Sequence, residues 1–147
     1  MKSMRAAYDS DFAQWTSEQA ELLRTGQFDQ LDVDHIIEEL VGVSGRDRRE
    51  MINRLETMFE HMLKRDMFPS DDALRGWNVT VSRNASKIVR ILESSPSLLQ
   101  VLSAEATWWK AFHSARRHVM EEYVSKIPSD DPKLYFAKAM FEIEKAQ

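Results

Sequence analysis

Apolar residues recur every three or four positions along most of this chain, the mark of helices that bury one face. Phe12, Trp15, Gln19, Leu22 and Leu23 share a face and predict a helix over residues 10–25. Asp9 or Ser10 can cap its start, and Gly26 is placed to close it in the left-handed conformation. Val33, Ile36, Ile37, Leu40 and Val41 predict a second helix after Asp32. Gly42 and Gly45 follow it, and each glycine costs roughly 1 kcal/mol inside a helix, so a break or kink is expected there. Met51, Ile52, Leu55, Met58, Phe59, Met62 and Leu63 predict a third helix from about Asp47 to Asp66, ended by Pro69. A fourth, after the capping cluster Ser70-Asp71-Asp72, runs to about Glu93 and buries Leu74, Trp77, Val81, Ile88, Ile91 and Leu92. Ser95 and Pro96 open a long fifth helix, with Leu98, Leu102, Trp109, Phe112 and Val119 on its core side, reaching about Lys126 before Pro128 stops it. Asp130-Asp131-Pro132 begins a short last helix carrying Leu134, Phe136, Ala137 and Met140. No segment reads as a strand. The expected fold is all-α: a single-domain bundle of five to six helices over residues 1–147, with residues 1–8 disordered. Trp15, Trp77 and Trp109 are expected in its common core.

Composition narrows the chemistry. The chain has 147 residues, enough to bury a core without staples. It has no cysteine, which removes disulfides, thiolate nucleophiles and Cys-based zinc sites. No apolar run approaches the roughly 20 residues of a membrane span, and no apolar segment follows Met1-Lys-Ser-Met-Arg5 as in a signal peptide, so a cytoplasmic protein is expected. The net charge of −4 is unevenly spread. Between Asp9 and Glu39 nine acids face one base, Arg24, while Leu74–Leu92 holds four bases and no acid. Internal docking of an acidic layer on a basic helix would account for this. A mostly acidic surface repels phosphate, so no nucleic-acid partner is expected.

Several residues in this order resemble a bacterial all-helical family known only as a domain of unknown function, the twenty-ninth so numbered. They are Tyr8, Asp11, Phe12 and Trp15; Leu22, Leu23 and Gly26; Leu31-Asp32; Ile37-Glu38-Glu39; and Arg48-Arg49-Glu50. His61, Leu63 and Lys64 follow, then Pro69, the Trp77–Val81 run and Ser95-Pro96-Ser97-Leu98. The resemblance spans Tyr8 to Pro132. It implies a compact helical domain and carries no activity. Arg65 departs from the aromatic usual in that family, and Asn84-Ala85 stands where a Gln-Arg pair is usual.

Few polar groups suggest a reaction. There is no nucleophile elbow and no phosphate-cradling glycine loop, and no catalytic residue is assigned. The candidate polar cluster is Glu38, Glu39 and His61, carboxylates and an imidazole flanking two apolar stripes. Glu38 or Glu39 is expected to meet His61 from an adjacent helix and to be held by hydrogen bonds, with no metal and no cofactor. The alternative is that the same three bind a metal, since carboxylates and histidines converge this way inside helix bundles. Asp11, one turn before Trp15, is read as a cap rather than a general base. Trp108 points about 100° away from Trp109 on a helix. With Trp109 in the core, Trp108 becomes a candidate interface anchor. The rival reading has the last helix covering it within one chain. The function expected is therefore a non-enzymatic protein-interaction module, binding a protein partner or itself.

Overall fold

The computed structural model describes residues 4–123 and 131–147. Its elements are α1 (Met4–Ser10), α2 (Phe12–Arg24), a 3-10 turn (Phe28–Gln30), α3 (Val33–Met67), α4 (Leu74–Ser94), α5 (Leu98–Ser103), α6 (Glu105–Glu122) and α7 (Pro132–Ala146). The fold is all-α, and among the described residues there is no strand. The chain divides into two compact units, one ending at Gly45 and one from Arg46 onward.

In the N-terminal unit α1 packs on α2. Residues 1–3 of the stretch expected to be disordered lie outside the described residues; α1 begins at Met4 and carries a buried Ala7. Asp11, not Asp9 or Ser10, is the cap of α2: its carboxylate accepts the Gln14 N–H at 3.0 Å. Gly26 takes the left-handed conformation, with φ 73°. The Gln27 N–H then reaches the Leu22 carbonyl at 2.9 Å and the Gly26 N–H the Leu23 carbonyl at 3.2 Å, the paired bonds of a Schellman close.

The break expected at Gly42–Gly45 does not occur, because α3 runs unbroken from Val33 to Met67. Two glycines lower helix propensity by about 2 kcal/mol together, a weak prior that long apolar runs on either side override.

The second unit holds the main core. Met51, Leu55, Met58, Phe59, Met62 and Leu63 of α3 meet Val81, Ala85 and Ile88 of α4, Phe112 and Val119 of α6, and Tyr135 and Ile143 of α7. Phe59 meets Phe112 edge-on at 5.7 Å, and Phe112 lies 5.3 Å from Tyr135. The Tyr135 hydroxyl donates to Asp66 Oδ2 at 2.7 Å, and Lys138 Nζ bonds the same oxygen at 3.1 Å. Both tie α7 to the end of α3.

The expected fifth helix is two helices. Ala104, at φ −67° and ψ 127°, is extended and separates α5 from α6. The predicted continuation to Lys126 and the stop at Pro128 lie outside the described residues. The core side of α6 is Trp108, Ala111, Phe112, Ala115 and Val119, so the expected burial of Trp109 is corrected: Trp108 is 7% exposed and Trp109 49%. The two alanines decide this, because they complete a three-to-four stripe that large residues alone leave ambiguous. Trp108 stacks on Phe136 of α7 at 4.8 Å, which is the covering arrangement rather than an exposed anchor. Trp77 is also corrected, to a half-buried position beside Phe68 at 6.3 Å. Asp131 caps α7 by accepting the Lys133 N–H at 3.0 Å, with Pro132 at the first helical position as expected.

Candidate functional site

Two groups of polar side chains stand out, one in each unit. In the N-terminal unit they gather around Asp32. Its carboxylate oxygen Oδ2 accepts the Trp15 indole N–H at 3.0 Å and pairs with His35 Nδ1 at 2.7 Å. Its backbone N–H donates to Gln19 Oε1 at 2.8 Å, and Gln19 is buried. Asp32 therefore ties α2 to the first turn of α3. Burial would raise its pKa, but the hydrogen bonds from His35 and Trp15 outweigh that and hold the carboxyl below its ordinary value.

Tyr8 roofs this group. Its ring stacks on His35 at 3.9 Å and meets Trp15 edge-on at 4.8 Å. The Tyr8 hydroxyl donates to Glu39 Oε1 at 2.8 Å. That bond, with partial burial and the nearby carboxylates, pushes the phenol up to about 12. Tyr8, Trp15, Asp32 and Glu39 come from three separate stretches of sequence and close into one aromatic and hydrogen-bonded cluster. The cluster ties α1 and α2 to the start of α3.

In the second unit Glu56 and Glu60 of α3 face His118 of α6. His118 Nδ1 lies 2.8 Å from Glu60 Oε1 and 3.3 Å from Glu56 Oε1. The Ser114 hydroxyl donates to Glu56 Oε1 at 2.7 Å. The three groups offer ligand atoms all within 4.8 Å of one another. Both carboxylates are largely sheltered, whereas the imidazole is about half exposed. The hydrogen bond to Glu60 lifts the His118 pKa above the usual imidazole value, while partial burial and Arg117 pull the other way.

The family model described as Domain of unknown function DUF29 matches residues 7–141. The chain belongs to the DUF29 family. No curated protein and no solved structure matches it. Within this DUF29 domain, the residues that carry the family resemblance at its N-terminal end include Tyr8, Trp15, Asp32 and Glu39 of the Asp32 cluster, but not Gln19 or His35.

The sequence-predicted cluster of this DUF29 domain fares differently. Glu38, Glu39 and His61 were expected on two helices, but all three belong to α3. Glu39 takes Tyr8 as its partner, and the His61 ring nitrogen Nδ1 donates to the Thr57 carbonyl of its own helix at 2.9 Å. The structure does not bring them together. Sequence reasoning missed Glu56, Glu60 and His118. A signal existed, since two glutamates four apart flank the core stripe of Leu55 and Phe59, and His118 precedes the buried Val119. What no pattern supplied was the pairing of those two faces.

Proposed function

We propose that this DUF29 domain is a non-enzymatic protein-interaction module that docks a basic amphipathic helix of another protein on the outer face of early α3. The observation that carries this reading is the exposure of Val33, Ile37, Leu40 and Val41, at 51%, 53%, 66% and 65%. At 100° per residue these four fall within about 100° of arc, opposite the side where Asp32, His35 and Glu39 join the aromatic cluster. An amphipathic helix hides one stripe, and a second apolar stripe on the far side asks for a partner. Charge selects the partner. Asp34 and Glu38 border one edge of the stripe, and nine acids against one base lie between Asp9 and Glu39. The same face of a second copy brings like charge against like charge, while a Lys- or Arg-edged helix complements it. No helix among the described residues is long and apolar enough to cross a membrane, so the stripe is not part of a span.

The test uses the full chain and a fluorescent Lys/Leu amphipathic helical peptide, read by anisotropy. The expected result is binding that weakens with added salt and falls at least tenfold in Ile37→Glu and Leu40→Glu. Equal binding by those variants overturns the reading. So does a wild-type dimer in light scattering that Leu40→Glu makes monomeric, which would place a second copy on the stripe.

A further inference from the structure

We propose that Glu56, Glu60 and His118 form a binding site for a first-row divalent metal ion, with zinc the best match. The proposal stands apart from the docking stripe and concerns the second unit alone. Two carboxylates and one imidazole are a recurring donor set for such ions, and together they neutralise a divalent charge. The donors come from two helices, so the site depends on the tertiary fold.

The spacing fits. Zinc bonds to oxygen and nitrogen of about 2.0–2.2 Å in a tetrahedron place ligand atoms roughly 3.3–3.6 Å apart. His118 Nδ1 and Glu56 Oε1 are 3.3 Å apart. His118 Nδ1 and Glu60 Oε1, at 2.8 Å, need to open by about half an ångström, a small rotation of a long side chain. Ser114 fixes Glu56 by its 2.7 Å hydrogen bond, the kind of outer support that orients ligating carboxylates. The half-exposed imidazole gives the ion a way in from solvent. When the ion binds, Nδ1 gives it a lone pair: an imidazolium releases its Nδ1 proton to water and keeps the one on Nε2, and a neutral ring carries its single proton on Nε2 instead. Three protein donors leave a fourth position for a water molecule.

Glu56 and Glu60 also explain why an ion suits the place. They lie one turn apart on α3 with like charge, and such pairs destabilise a helix. The bridging group in the structure is His118, which lies close to both. A divalent cation would bridge them with twice the charge of an imidazolium.

The experiment titrates zinc chloride into untagged, chelator-treated full-length protein by calorimetry. Cobalt chloride serves as a visible-absorption probe of tetrahedral coordination. One ion per chain is expected, with tetrahedral cobalt bands. Ser114→Ala should weaken binding by about tenfold and Glu60→Gln and His118→Gln by more, each variant keeping its helical circular dichroism. Glu121→Gln, an exposed carboxylate on the same helix as His118, should bind as the wild type does. Absence of stoichiometric binding, or wild-type binding by both Glu60→Gln and His118→Gln, overturns the site. If His118→Gln fails to fold, Glu60→Gln alone decides.

Discussion

Replacing Asp32 with Ala removes one oxygen that receives two donors, and the structure sets what that should cost. Trp15 is 3% exposed, so its indole N–H would be left with neither protein nor water. Orphaning a buried donor costs about 1–3 kcal/mol. His35 is partly open and recovers water more easily, so its loss belongs at the low end, about 1 kcal/mol. The expected total is about 2–4 kcal/mol, confined to the N-terminal unit. Asp32→Asn keeps an acceptor at the same place and loses only the charge assistance, about 1–2 kcal/mol. Native-state hydrogen exchange read by mass spectrometry separates the two units peptide by peptide. Peptides from α1 and α2 should lose protection in the order wild type, Asn, Ala, while those from α4 and α6 stay unchanged. If α1 and α2 of the alanine variant exchange as in the wild type, Asp32 is not the tie described above. Loss spread evenly along the chain would show that its role is not confined to this unit.

Three further outcomes are expected. The Asp32 carboxyl is held below its ordinary 3.8, so its contribution is complete above that value and fades as pH falls through the lower native pKa; α1 and α2 should therefore lose protection below about pH 4, and Asp32→Asn should remove that part of the acid sensitivity. Trp108→Ala should destabilise the second unit by about 3–5 kcal/mol in urea unfolding, against less than about 1 kcal/mol for Trp109→Ala; equal effects would contradict the register of α6. Gly42→Ala should raise stability by up to about 1 kcal/mol in thermal melts, because a β-carbon there meets nothing within 4 Å and the helix continues through it. A loss of stability instead would mean that α3 needs the glycine to bend.

Local chemistry was the most legible part of this chain. Gly26 closes α2, and Asp131 with Pro132 opens α7, because such signals act through neighbouring backbone groups and need no tertiary partner. The family was legible too, through the order of residues from Tyr8 onward. The break at Ala104 was not, since alanine is the best helix former and nothing in its neighbourhood resembles a stop signal. Phe112 and Val119 were placed correctly, but passing over the small residues Ala111 and Ala115 let Trp109 stand in the stripe where Trp108 belongs. The absent break at Gly42 had the opposite cause: a real local penalty too small to decide the outcome. It also misassigned the candidate site, because Glu39 and His61 seemed to belong to different helices. Glu56, Glu60 and His118 were out of reach for a third reason. Ser114 and His118 find Glu56 and Glu60 across 58 residues of sequence, and only packing selects that match.

The bonds around Asp32 have a consequence for how the chain folds in time. They join residues 13 and 17 positions apart, and the Tyr8 bond to Glu39 spans 31. The second unit has shorter ties as well, but those that hold α6 and α7 to α3 reach across 58, 69 and 72 positions. Short loops close fast and at little entropic cost, whereas distant contacts wait for more of the chain to be arranged. During synthesis at about 5–20 residues per second, the Asp32 cluster has all its members within the first forty residues, while the core of the second unit waits for Tyr135. The acidic N-terminal unit would then fold first on the ribosome, several seconds before the rest of its own chain exists.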